Sequence, residues 1–177
     1  MSQHQTPENT LAPNQIIGGR YRVVRPIGAG GVGVVYEAEN IVIQKRVALK
    51  CLHGRMELQQ SHRSRLLAEA RAAALIDHDN VIDVTDFLDV EQGVFIVMEY
   101  LQGQSVSEMV TEKGPAGLAR TVEILTQVCH ALGAAHKAGV VHRDLTASNV
   151  MLVSRSFGAA TVKVLDFGIS KMTGTSL

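Results

Sequence analysis

The chain is poor in cysteine, has no net charge and lacks any long apolar run, and each shortage removes a class of function. Its two cysteines, Cys51 and Cys129, lie far apart with no C-x-x-C spacing and no secretory signal ahead of them. A disulfide framework is therefore excluded, and reduced thiols in a cytoplasmic protein are expected. Lysine plus arginine number 17, the same as aspartate plus glutamate, so no global basic field recruits nucleic acid or an anionic membrane. Any recognition of phosphate must come from local sites. No apolar stretch reaches the roughly 18 residues that a membrane span needs, and there is no internal repeat or low-complexity segment.

What is present suffices for a folded domain, because 46% of the 177 residues are hydrophobic and only 19% are charged, enough to build a core. The first 15 residues are polar, contain two prolines and have no periodicity. They read as a flexible tail. From Tyr21 to about Lys50 three valine-rich runs, "YRVVRPIG", "VGVVYEAE" and "RVALKCL", predict a meander of strands. A helix is expected from about Glu57 to Ile76, carried by Leu66, Leu67, Ala70, Ala73 and Ala74. Two more strands, "VIDVTDFLDV" and "GVFIVMEYL", are followed by "QGQS" as a connector. The spacing of Val122, Leu125, Val128, Leu132 and Ala135 predicts a helix from Leu118 to about Lys137, with Gly139 as its stop. Strands "NVMLV" and "TVKVLDFG" come last.

Four motifs carry chemistry. Gly28, Gly30 and Gly33 form a G-x-G-x-x-G pattern in "GAGGVGVV"; glycine lets the backbone approach phosphate oxygens and present its N–H groups. A dinucleotide-binding loop shares this spacing but needs a helix directly after the third glycine. Here a strand continues, which favours a glycine-rich flap between antiparallel strands. Lys50 ends the apolar run "VALK", where a lysine beneath such a flap would meet phosphate as a point charge, although a strand-end lysine can also be merely solvated. Glu69 sits on the apolar side of the following helix and would pair with that cation, unless it belongs to an exposed pair with Arg65 or Arg71.

The third and fourth motifs are "HRDLTASN" and "LDFG". Asp144 suits a general base or hydroxyl-orienting group, and Asn149 and Asp166 offer the hard oxygens that Mg²⁺ prefers. Each residue also has a plain structural reading: His142 as a packed imidazole, Arg143 as a solvated cation, Asp166 as a turn former before Gly168.

Taken in order, these motifs resemble the eukaryotic-type protein kinase family, and "IGAGGVGVVYEAEN…VALK" with "HDNVIDVTDF" is similar to its bacterial serine/threonine branch. The resemblance covers about Ile16 to Lys171. It implies an α+β fold with a β-rich N-lobe over residues 16–97, a hinge over 98–104 and a partial, mainly helical C-lobe over 105–177. It also implies ATP and Mg²⁺ as cofactors and a protein serine or threonine hydroxyl as acceptor. By the same resemblance Gly28, Gly30 and Gly33 cover the phosphates, Lys50 binds them and pairs with Glu69, Asp144 is catalytic, and Asn149 and Asp166 hold Mg²⁺. Ile27, Val35, Ala48, Met98 and Met151 would sandwich adenine, with the backbones of Glu99 and Leu101 along its edge.

Two departures stand out. Family members typically carry lysine where this chain has Thr146 and proline where it has Ala147, and after "DFGISK" only "MTGTSL" follows. The activation segment and the remaining C-lobe helices are thus expected to lie outside this sequence, and a pseudokinase-like binding module stays open as the alternative. A small-molecule kinase of related fold is disfavoured by "HRD", "DFG" and "VALK" together.

Overall fold

A computed structural model describes residues 11–30, 33–52, 67, 70–153 and 160–167. The chain divides into two compact units, one formed by Met1–Glu57 with Asp86–Tyr100 and the other by Leu58–Thr85 with Leu101–Leu177. This differs from the expected lobes in placing Leu58–Thr85 with the second unit. The reason lies in the core, where Ala73, Ile76 and Val81 pack with Val164 and Phe167.

The first unit is an antiparallel sheet whose strands are β1 (Ile16–Ile17), β2 (Tyr21–Gly30), β3 (Gly33–Asn40), β4 (Lys45–Leu52), β5 (Val84–Val90) and β6 (Gly93–Glu99), in the order β1-β2-β3-β4-β6-β5. Alternation assigns the faces. Val34, Tyr36 and Ala38 of β3, Val47, Leu49 and Cys51 of β4, and Phe95 and Val97 of β6 close on one core. Val35, Ala48, Lys50 and Met98 therefore share the opposite face. Tyr21 ties β2 to β5 by donating its hydroxyl to Asp86 Oδ2 at 2.8 Å. Burial first, and then that carboxylate, push the phenol up to about 12, so it stays a donor at any physiological pH.

The tail expected over residues 1–15 ends sooner than its polar composition implies; residues 1–10 lie outside the described set. Leu11 is 3% exposed within the sheet's core, its N–H donates to Tyr36 Oη at 3.0 Å, and the chain at Asn14 and Gln15 exchanges hydrogen bonds with Val23. A single leucine, invisible to a periodicity test, anchors the segment. Leu11→Ala should cost about 2–5 kcal/mol, read as a lower midpoint in urea unfolding; an unchanged midpoint would return Leu11 to the tail.

In the second unit, β7 (Gly103–Ser105), β8 (Val150–Val153) and β9 (Thr161–Val164) form an antiparallel sheet in that order, with α1 (Val106–Lys113) and α2 (Leu118–Lys137) beside it. The "QGQS" connector is thus partly strand. Gly103 allows this pairing, because a Cβ there would lie 2.1 Å from the Leu152 carbonyl oxygen. Helix α1 was not expected, yet its start is written in the sequence: Ser105 Oγ accepts the Glu108 N–H at 3.1 Å and Glu108 returns a bond to the Ser105 N–H at 2.7 Å. The Ser105 N–H, and after it the Ser105 hydroxyl, which donates to Glu108 Oε2 at 2.8 Å, hold the Glu108 carboxyl below its usual range.

Helix α2 matches its predicted span, and Gly139 follows it with φ +76°, the left-handed conformation that ends helices. Its buried face, however, is Ile124, Val128, Ala131 and Ala135. Val122 and Leu125, expected on that face, are each 55% exposed, since they lie on the neighbouring stripe of the helix. Residues 70–74 are helical, and most of the helix expected from Glu57 falls outside the described residues. The run "VIDVTDFLDV" becomes a strand only from Val84. Val81 instead makes a parallel bridge to Val164, and buried Asn80 donates to Gln127 Oε1 at 2.9 Å and to the Val162 carbonyl at 2.8 Å.

Candidate functional site

The glycine-rich hairpin is built from β2 and β3, which pair up to Gly30↔Gly33; residues 31 and 32 lie outside the described set. Its glycines are present for different reasons. A Cβ on Gly33 would sit 2.0 Å from the Cys51 carbonyl oxygen, so close packing on β4 demands glycine whatever else the loop does. Around Gly28, its chain neighbours aside, no heavy atom of the described residues lies within 4 Å of where a Cβ would be. Packing among the described residues does not explain that glycine.

Lys50 is 4% exposed, on the face opposite the hydrophobic core, with Val35 and Ile96 as its cross-strand neighbours. It is not a solvated strand end. Glu69, its expected partner, lies outside the described residues. Ala48 pairs across the sheet with Met98, and Ile27 on β2 is 40% exposed. Strand β6 runs through Met98 to Glu99, so two residues assigned to a hinge are strand, because they continue the ladder with Ala48 and Val47. Leu101 follows as half-buried, non-repetitive chain, and Met151 lies on β8 opposite Ser105 and Lys163.

In the second unit the "HRDLTASN" loop is held by a short network. His142 is 3% exposed, and its ring lies 4.8 Å from that of Phe167 at 55°. Its Nε2 lies 2.7 Å from the Leu165 carbonyl, and its Nδ1 is 3.3 Å from the Asp144 N–H. A carbonyl accepts and an N–H donates, so the proton belongs on Nε2. The packed-imidazole reading of His142 is thus the structural one, and through it the histidine fixes the main chain at Asp144.

The Asn149 side chain follows the same logic. Its amide faces the Asp144 carbonyl at 2.9 Å; that carbonyl can only accept, so the facing atom is Nδ2 and the oxygen carries any ligand capacity. The Asn149 carbonyl also accepts the Leu165 N–H at 2.9 Å. Asp144, Asn149 and the Leu165–Phe167 segment are thereby brought together. Arg143 and Asp166 have φ of +63° and +55°, the left-handed region, which non-glycine residues enter at a cost and which recurs at functional sites. Thr146, exposed, precedes the 3₁₀ turn Ala147–Asn149 without capping it by its side chain.

The described residues contain no cluster of three His, Cys, Asp or Glu that would cage a metal. Mg²⁺ does not require one, because it takes one or two protein oxygens and completes its shell with water and phosphate. The oxygens of Asn149 and Asp166 fit that donor set. Among the described residues no helix is long and apolar enough to cross a membrane.

Comparison with known proteins shows the family. A family model described as "Protein kinase domain" matches residues 21–176. The chain is similar to the serine/threonine-protein kinase Pkn1 of Myxococcus xanthus, at 43% identity over 87% of the chain and 22% of Pkn1, and to pkn3 of the same organism, at 39% identity over 97% of the chain and 32% of pkn3. Among solved structures, the kinase domain of PknI from Mycobacterium tuberculosis aligns with a TM-score of 0.79 and 30% identity, covering 92% of this chain and 63% of that one. The chain therefore spans between a fifth and a third of the length of these curated relatives. Matched over most of its length and carrying the family's motifs in order, it belongs to the protein kinase domain family, in the bacterial serine/threonine branch.

Proposed function

We propose that the chain supplies the nucleotide-binding and phosphoryl-transfer groups of a protein serine/threonine kinase, moving the γ-phosphoryl of ATP to a protein hydroxyl in the cytoplasm. The observation that carries this reading is the Asp144–Asn149 loop: an acid whose main chain is fixed from both sides, next to an amide whose nitrogen faces the Asp144 carbonyl. In the first unit this reading rests on the flap at Gly28, Gly30 and Gly33, the apolar surface of Ile27, Val35, Ala48 and Met98, the main chain at Glu99, and Lys50 for the phosphates. In the second unit it rests on Asp144, Asn149, Asp166, Leu101 and Met151. When bound, Mg²⁺ supplies charge neutralisation on the phosphates.

Asp144 accepts a hydrogen bond from the substrate hydroxyl and aligns its lone pair for attack. Lys50, delivered from a buried position on a rigid strand, meets phosphate charge with little reorganisation. Lys50→Met should weaken Mg·ATP binding about tenfold or more, measured by titration calorimetry; equal affinity in both proteins would remove Lys50 from the site. Peptide and aminoglycoside acceptors offered in parallel separate a protein kinase from a small-molecule kinase. Thr146 favours one competing reading, a module that binds nucleotide without efficient transfer.

A further inference from the structure

The sheet face that carries Lys50 contains a carboxylate with no place in the phosphate chemistry. Glu37, Ala48 and Met98 are successive cross-strand partners on β3, β4 and β6, and Val35, Lys50 and Ile96 form the next row. The Glu37 side chain is only 7% exposed. A buried carboxylate persists where cations compensate it, and two do: Arg25 Nη2 lies 2.8 Å from Oε2, and Arg46 Nη2 donates to Oε1. The Arg25 contact is an ion pair whose alignment leaves Oε2 without a hydrogen bond. Arg46 is thus the better-oriented partner.

Arg46 also reaches a second group. Its guanidinium carbon lies 4.2 Å from the centroid of the Tyr100 ring, a cation–π distance. Tyr100 directly follows the last residue of β6, and the ladder between β4 and β6 ends one residue earlier at Val47↔Glu99. The stack therefore continues the hold on the chain just past the point where sheet pairing stops. An unrestrained arginine samples many rotamers, but the planar fork bound to Glu37 presents one face to the ring.

We propose that Arg46 is a positioning residue for base recognition: oriented by Glu37 and laid on Tyr100, it fixes the main chain at Glu99–Tyr100, where the proposed function places the edge of adenine. The inference rests on that reading of the site. It makes Arg46 a determinant of which purine is held.

The test compares Mg·ATP, Mg·ITP and inorganic tripolyphosphate by titration calorimetry on the full chain. ITP carries a carbonyl where adenine has its 6-amino group. Wild type should prefer ATP, and Arg46→Ala and Tyr100→Ala should each shrink the ATP/ITP ratio about fivefold, with tripolyphosphate affinity unmoved. Tyr100→Phe, which keeps the ring, should restore the ratio, and Arg46→Lys, which keeps the charge but not the fork, should fall between. Should Arg46→Ala fail to fold, Arg46→Lys and Tyr100→Ala carry the comparison. Equal weakening of all three ligands, an unchanged ratio, or Tyr100→Phe behaving as Tyr100→Ala would overturn the role of Arg46. A wild type that binds no nucleotide would overturn the site itself, and the inference with it.

Discussion

Replacing Asp144 by asparagine should slow phosphoryl transfer by about 10²–10⁴ while leaving Mg·ATP affinity within about twofold. The two effects separate because the residue has two separate engagements. Its main-chain N–H donates to His142 Nδ1 and its carbonyl accepts from Asn149 Nδ2, whereas no hydrogen bond among the described residues uses its carboxylate. Asparagine keeps the loop and its fold. What it loses is the negative oxygen that polarises the attacking hydroxyl, an interaction that grows as the proton leaves. Single-turnover rates and nucleotide titrations on the two proteins check this. A variant that transfers at the wild-type rate would deny Asp144 its part in the chemistry, and one that also loses ATP binding would make it a structural residue.

The second large effect runs the other way. Thr146 is exposed, and its hydroxyl does not cap the turn it precedes, so the position offers a neutral group where the family resemblance expects lysine. A preorganised cation facing charge on the transferred phosphoryl is typically worth about 10²–10³ in rate. Thr146→Lys should therefore raise kcat by about that range and change the KM for ATP little, because the added charge acts mainly in the transition state. The exposed setting gives the longer side chain room. Single-turnover measurement at saturating Mg·ATP decides: a flat rate would show that another cation already serves, and a lower rate would show crowding of Asp144.

Much of this arrangement was legible in the sequence, because glycine patterns, alternating strands and loop motifs act locally. Motif order singles out Lys50, Asp144, Asn149 and Asp166 as candidates, and the structure buries Lys50 and ties Asp144 and Asn149 to the segment that carries Asp166; apolar spacing predicts the span of α2. The misses share one physical cause, which is that the deciding contacts are distant in sequence. Leu11 looks like tail until Tyr36 and the sheet core are seen to receive it. Val122 and Leu125 look like core until the sheet selects the Ile124, Val128, Ala131 and Ala135 stripe instead. Glu37 and Arg46 read as ordinary charged strand residues, and only register and burial show the carboxylate enclosed between two arginines. Helix α1 is the exception, since its Ser105 and Glu108 capping pair was readable without any structure.

The most direct test of the account is transfer of radiolabel from γ-labelled ATP to a protein acceptor in the presence of Mg²⁺, followed by phosphoamino-acid analysis, for the wild type and Asp144→Asn side by side. The account predicts slow labelling of serine or threonine by the wild type and almost none by the variant. Label on neither, under conditions in which calorimetry shows Mg·ATP bound, would contradict catalysis and leave a nucleotide-binding module.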